Sequence, residues 1–498
     1  MITSITSQLV DETRWKYSIG SPLLLALVIG AALMLGIFIG RNSWVYVIGL
    51  LALPFVALWP VQVALGLFAL LVPFDSVSAI GGGNSGMTLT FVAGATAILI
   101  LILVALLGNR LTAPHRAAAW WALFVGWGMV STLWAMDAEL AWQRLPTALA
   151  LVLLYIVATS VRFTSEEVCT ITTLTILGGA AAALFATVQF YSGVFYEDSM
   201  RGSLILGSRQ ADPNFFAAAL LLPFSLAFGR MISSRGLFRK LVLTTAVLVI
   251  GFGIIVTISR GGILALGVMM AIYLYKLRTS WRILVPACLL ILLLGVVPEL
   301  FFARFQEVTG PRAAARMDFW VVGLAAFWHH AVLGVGLSNF PAAYDAYVRY
   351  APSFHGYHRM AHNAYLSVLV EMGIVGLFLF VAALRSQFRW LWHGGRETAQ
   401  LRLPYQAAFC AVLVSGLFLD ILWTKSFWLV LILVAIAERT IQKTSIPKAK
   451  WQVVPRIRKH RYPTQSRRVG HRLEYRDSTH NHLTHTNLFR DRWHCCQL

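Results

Sequence analysis

Residues 241–276 read LVLTTAVLVIGFGIIVTISRGGILALGVMMAIYLYK. Two apolar runs, 238–258 and 261–276, meet there with a single charge, Arg260, between them. Roughly 20 apolar residues cross a bilayer as a helix, so this stretch is a pair of spanning helices with almost no loop. The pattern extends in both directions, through fourteen apolar stretches running from 20–39 to 424–437. The shortest can be half-helices or tilted pieces. The sequence therefore predicts an all-α polytopic membrane protein with about 12–14 transmembrane helices. The first stretch is too long for a signal-peptide core and lacks a small-residue cleavage site behind it, so it is expected to stay attached.

Composition excludes a set of soluble domains. Apolar residues make up 58% of the 498-residue chain and charged residues 12%, with a mean hydropathy of +0.70. A soluble domain carries about 25% charge, so too little charge is present to cover a water-facing surface. The net charge of +20 would suggest nucleic acid, but its placement argues against that partner. Residues 439–498 hold 14 of the 41 Lys and Arg with only three acids, Glu474, Asp477 and Asp491. That tail has no apolar periodicity, so disorder is expected, with its charges drawn to the anionic headgroups of membrane lipids. Six of the thirteen histidines and Cys495-Cys496 also lie there, in no spacing that suits zinc. Cys169, Cys288 and Cys410 lie in or beside apolar runs, so no disulfide framework is expected.

Orientation follows from the bias of basic residues toward cytoplasmic loops. With the N-terminus inside, the short inner loops carry sixteen Lys and Arg, and the short outer loops carry six: Arg41, Arg144, Arg201, Arg209, Arg260 and Lys425. The expected organisation is a cytoplasmic N-terminus (1–19), a transmembrane bundle (20–300), a large outer loop (301–362), C-terminal transmembrane helices (363–437) and a basic cytoplasmic tail (438–498). Loops held by a rigid scaffold carry much of a protein's chemistry. A second outer loop, 193–212, ends in Asp212-Pro213-Asn214, a helix-start signal.

Three sets of residues could carry chemistry. Arg260 sits at the outer mouth of the membrane, where an ionised arginine must reach water or an anion, and Gly261-Gly262 would let backbone N–H groups approach that anion. Its bland alternative is a snorkelling arginine at a helix end. His355, His358 and His362 have the i, i+3, i+7 spacing of one helical face and could bind zinc. Pro352 and Gly356 disfavour that helix, however, and no carboxylate lies nearby in sequence, so no metal is expected. His362 alone, where the loop meets the membrane, suits proton transfer; a histidine hydrogen-bonded in an interface is the alternative. The outer arginines Arg201, Arg209, Arg304, Arg312, Arg316, Arg349 and Arg359 offer paired donors that match phosphate, although each singly reads as a solvated charge. Glu197, Asp198, Glu307, Asp318 and Asp345 define no carboxylate pair, and His329-His330 reads as interfacial packing.

Four segments carry a resemblance: SRGGILAL (259–266), Arg316-Met-Asp-Phe-Trp, HHAVLGVGLSNF (329–340) and HNAYLSVLVEMGIVG (362–376), with Asp212-Pro213-Asn214-Phe-Phe-Ala as a further match. Together they resemble the bacterial O-antigen ligase family and its Wzy-like polymerase relatives over about 200–385. The first 190 residues match only in hydropathy, and the tail does not match. The resemblance implies a membrane glycosyltransferase of the GT-C type in the bacterial inner membrane, with a periplasmic active site and both termini cytoplasmic. It implies a glycan donor on undecaprenyl pyrophosphate and a lipid A–core acceptor in the ligases, or a second lipid-linked repeat in the polymerases. It also implies an inverting reaction with no metal and no cofactor. By the matching motifs His362 becomes the base and Arg260 and Arg316 the pyrophosphate-binding arginines; Arg201 and Arg209, which lie in none of these motifs, would be secondary phosphate or sugar contacts. A transporter of lipid-linked sugar is the rival of another class; it predicts charges near mid-span, and the apolar runs hold almost none.

Overall fold

The structure, a computed structural model, describes residues 58–78, 88–197, 199–277, 311–393 and 398–445. Among them lie thirteen α-helices: α1 (Pro60–Leu71), α2 (Leu89–Leu107), α3 (Ala117–Val130), α4 (Ala138–Thr159), α5 (Ser165–Tyr191), α6 (Pro213–Ser233), α7 (Leu237–Val256), α8 (Arg260–Leu277), α9 (Pro311–His329), α10 (Phe340–Tyr347), α11 (Ala364–His393), α12 (Ala399–Ser415) and α13 (Lys425–Ser445). A 3₁₀ turn, Val72–Val77, follows α1. Among the described residues, eight helices are long and apolar enough to cross a membrane. The protein is an all-α polytopic membrane protein. The apolar runs expected at 20–39 and 281–300, most of the run at 44–58 and most of the basic tail lie outside the described residues.

Local sequence explains where the helices begin. Asp137 accepts hydrogen bonds from the N–H groups of Glu139 and Leu140 at the head of α4. Thr164 and Glu167 form a reciprocal capping pair at α5. Asp212 caps α6, and Pro213 fills its first position, where an N–H would have no partner anyway.

The core centres on α13. Every residue from Phe427 to Glu438 is buried, the mark of a helix surrounded on all sides. Its neighbours include α4, α11, α12 and α6. Large apolar side chains elsewhere point outward, such as Leu184 on α5 and Phe378 on α11, as a lipid-facing surface requires.

Two chemically different ends result. At the basic end, Arg110 pairs with Glu167 at 2.6 Å, Arg116 with Glu438 at 3.1 Å, and Arg402 donates to the Trp390 and Leu391 carbonyls. At the opposite end, Lys425 pairs with Asp75 at 2.5 Å, Asn339 bonds Asp137, and the Ala364 N–H reaches Gly416. The outer loop expected at 301–362 is partly helical. Phe319, Val322, Phe340, Tyr344, Leu366 and Val370 form a second small core that seats α9 and α10 on the start of α11.

α11 is interrupted. Gly373 adopts φ +65°, outside the helical range, and the freed backbone groups bond to residues 331–336. The Val335 N–H reaches the Val370 carbonyl at 3.0 Å, Gly336 that of Glu371 at 2.9 Å, and the Ile374 N–H that of Ala331 at 2.8 Å. The two backbones touch so closely that a Cβ on Gly373 would collide with the Val332 carbonyl, and one on Gly334 with that of Glu371.

Candidate active site

His362 is the residue before Asn363, whose side chain accepts from the N–H groups of Tyr365 and Leu366 and so starts α11. Its backbone sits in the left-handed region, φ +50°, a costly conformation for a non-glycine residue. Asp420, between α12 and α13, fixes it there. One carboxylate oxygen accepts the His362 N–H at 2.9 Å, and the other accepts the Ser367 hydroxyl at 2.5 Å. Both face a cavity of about 270 Å³ that is also lined by Arg144, Phe215, Ser338 and Glu371.

The surroundings of His362 disfavour its cation. Burial lowers its pKa from the ordinary value, Asp420 opposes that shift, and the nearby Arg316 adds to it. Asp212 and Arg359 act on the same imidazole more weakly, the first favouring its cation and the second opposing it. The structure thus brings His362, Arg316 and Asp420 together, from three separate parts of the chain.

The other arginines differ in what holds them. Arg260 is the first residue of α8 and half-buried. The space beside Gly261 is filled by Phe418, and that beside Gly262 by Ala217. The double glycine therefore lets the helix start pack closely against its neighbours, and the Gly262 N–H donates to the Ser259 hydroxyl at 3.2 Å. Phe418 lies two residues before Asp420, so α8 begins against the segment that carries the carboxylate. Arg201 is buried; its Nε donates to the Thr257 carbonyl at 2.9 Å and one Nη to Asn214 at 2.8 Å. Asn214 also accepts from Ser259 at 3.0 Å, so Arg201 braces the segment leading to Arg260. Arg209 lies in a two-stranded hairpin, Ile205–Leu206 against Arg209–Gln210, and does not line the cavity.

The three histidines do not share a helical face, because residues 351–363 are not helical. His355 meets Asp318 at 2.8 Å and His358 meets Asp345 at 2.7 Å, while His362 turns to Asp420. Asp318 and Asp345, which sequence spacing leaves unpaired, are thus histidine partners. His329 and His330 pack against Tyr347.

Sequence reasoning missed Asp420, Ser367 and Arg144 as site residues. Arg144 donates to the Ser338 hydroxyl at 3.4 Å and had counted only toward topology. Glu371 accepts the N–H groups of Ser338 at 2.9 Å and Phe340 at 3.3 Å. It holds the turn that starts α10. The one signal for Asp420 was a carboxylate set in an apolar run.

No protein of curated function matches the chain. The family model described as O-antigen ligase matches residues 245–381, the stretch that contains Arg260, Arg316, His362 and Glu371 but not Arg201, Arg209 or Asp420. Over residues 245–381 the chain is similar to the O-antigen ligase family.

Proposed function

We propose that this protein is a glycosyltransferase that moves a glycan from undecaprenyl pyrophosphate to an acceptor hydroxyl of lipid A–core, in the periplasmic leaflet of a bacterial inner membrane. One observation carries the reading: His362, whose cation is disfavoured by burial and by Arg316, lines a cavity together with Arg144, at the end of the bundle where Arg260 starts α8. A neutral histidine can accept a proton, and arginines can receive a departing anion.

The reaction is a single displacement. His362 takes the proton of the acceptor hydroxyl, whose oxygen forms the new bond to the anomeric carbon. The bond from that carbon to the pyrophosphate oxygen breaks on the opposite face, so the anomeric centre inverts. The bonding pair leaves with undecaprenyl pyrophosphate. Arg316 and Arg260 neutralise the developing charge, which fixed donors do most effectively in a water-poor site. No divalent ion or cofactor is needed where arginines supply that charge. A cavity of about 270 Å³ is at the small end for ligand sites, so it admits the reacting ends while the glycan and the lipid lie outside.

Purified protein, supplied with the lipid-linked donor and offered both core lipid and a second donor molecule, tests the proposal. Transfer to core lipid is expected. Elongation of the donor instead would make the protein a polymerase of the same chemistry, and transfer to neither acceptor would refute glycosyl transfer.

A further inference from the structure

The larger cavity, about 430 Å³, lies at the basic end, far from His362. It opens between the close of α4, the linker 160–164 and the last turns of α13, and its lining includes Arg162 and Arg439 but no acid. We propose that this cavity holds the phosphate headgroup of an anionic phospholipid from the leaflet at this end of the bundle.

Charge is the first argument. The neighbouring acids are already matched: Glu167 by Arg110 at 2.6 Å, and Glu438 by His115 at 2.9 Å and Arg116 at 3.1 Å. Arg162 and Arg439 remain in excess. Among the described residues, no side-chain hydrogen bond or ion pair engages the Arg162 guanidinium. Arg439 is half-buried and held in place. Its Nη1 donates to the Thr112 hydroxyl at 3.0 Å and to the Thr159 carbonyl, and its Nη2 to the Ala113 carbonyl. A guanidinium has five N–H donors, so two of its donors stay available. One fixed arginine and one unengaged arginine on a single cavity match the geometry of a phosphate, whose oxygens take paired N–H donors.

Place and wall composition argue for a lipid rather than a free anion. The cavity lies where spanning helix α4 closes and α5 begins, and the ends of spanning helices meet the headgroups. Val161, Phe163 and Ile436 give it an apolar side, suited to the glycerol and upper acyl chain and wasted on inorganic phosphate. The hydroxyls of Thr112 and Thr440 already donate to the carbonyls of Ser160 and Ile436, so the arginines are the recognising groups.

Full-length protein in detergent, titrated with short-chain phosphatidylglycerol, phosphatidylcholine or glycerol phosphate and read by native mass spectrometry, tests this. Wild type should prefer phosphatidylglycerol over phosphatidylcholine by about tenfold or more, the value of one charge-assisted pair. Arg162→Ala should lose that preference with an unchanged Tm. The basic tail is identical in both proteins, so the difference belongs to the cavity. In wild type, a photoreactive phosphatidylglycerol should label peptides containing 161–165 and 436–440. Equal retention of the two lipids, an unchanged preference in a folded Arg162→Ala, equal competition by glycerol phosphate, or labelling confined to other peptides would each overturn the proposal.

Discussion

At the scale of the residue, the chemistry rests on the protonation of His362. Burial and Arg316 both disfavour its cation, so the neutral form persists to lower pH than for a free imidazole. If neutral His362 is the base, kcat/KM falls as pH drops through its pKa, and that acid limb should lie below about 6.5. Asp420 pushes the pKa the other way, so Asp420→Asn should move the limb lower still. A pH–rate profile of both proteins checks the direction, and a limb at higher pH in the variant would contradict it. His362→Ala should leave an inserted protein with transfer reduced by about 10²–10⁴-fold; near-normal transfer removes the base role. Lys in place of Arg260 or Arg316 keeps the charge but loses the fork. We expect kcat/KM about tenfold or more below wild type for each, and full activity would show that charge alone suffices. The motifs of the sequence exposed these three residues. Asp420 stayed hidden because its bond to His362 spans 58 positions, and a lone carboxylate inside an apolar run carries no local sign of its partner.

At the scale of the element, the break in α11 was illegible. The run 363–384 is continuously apolar, and hydropathy has no term for a backbone that leaves the helix for one residue. What decides the break is a partner strand of chain, 331–336, that supplies the hydrogen bonds a helix would have made. Gly373→Ala must place a side chain at φ +65° and against the Val332 carbonyl. It should cost about 2–4 kcal/mol, visible as a lower Tm in detergent; a wild-type Tm would mean that the two backbones can separate freely. The same long-range dependence explains the outer loop. Residues 311–329 and 340–347 are helical there because α11 offers their apolar residues a surface, whereas in sequence their polar and apolar residues mix without a clear period. The pairing of His355 with Asp318 likewise needs α9 to fold back over the loop.

At the scale of the whole molecule, hydropathy and the distribution of basic residues made the bundle legible. The described apolar runs became helices close to their expected bounds, and the helix ends sort into one basic end and one end bearing His362. Hydropathy could not rank the helices by position. The run 424–437 looked short and ordinary, yet α13 is the centre of the bundle. Chains ending after Ser445 should retain transfer, since the site lies at the other end of α13, whereas chains ending before Lys425 should lose it. Equal activity of the two, at equal abundance, would deny α13 its central role. The position of α13 also sets a timetable. Among the described helices synthesis delivers this axis after all the others, roughly 15–60 s after α3 at usual elongation rates. A bundle that inserted without α13 would leave its central position to be filled by something other than protein. Completion of the core then amounts to the entry of α13 between helices made before it, and an insertion factor that shelters an incomplete bundle would have its longest task here.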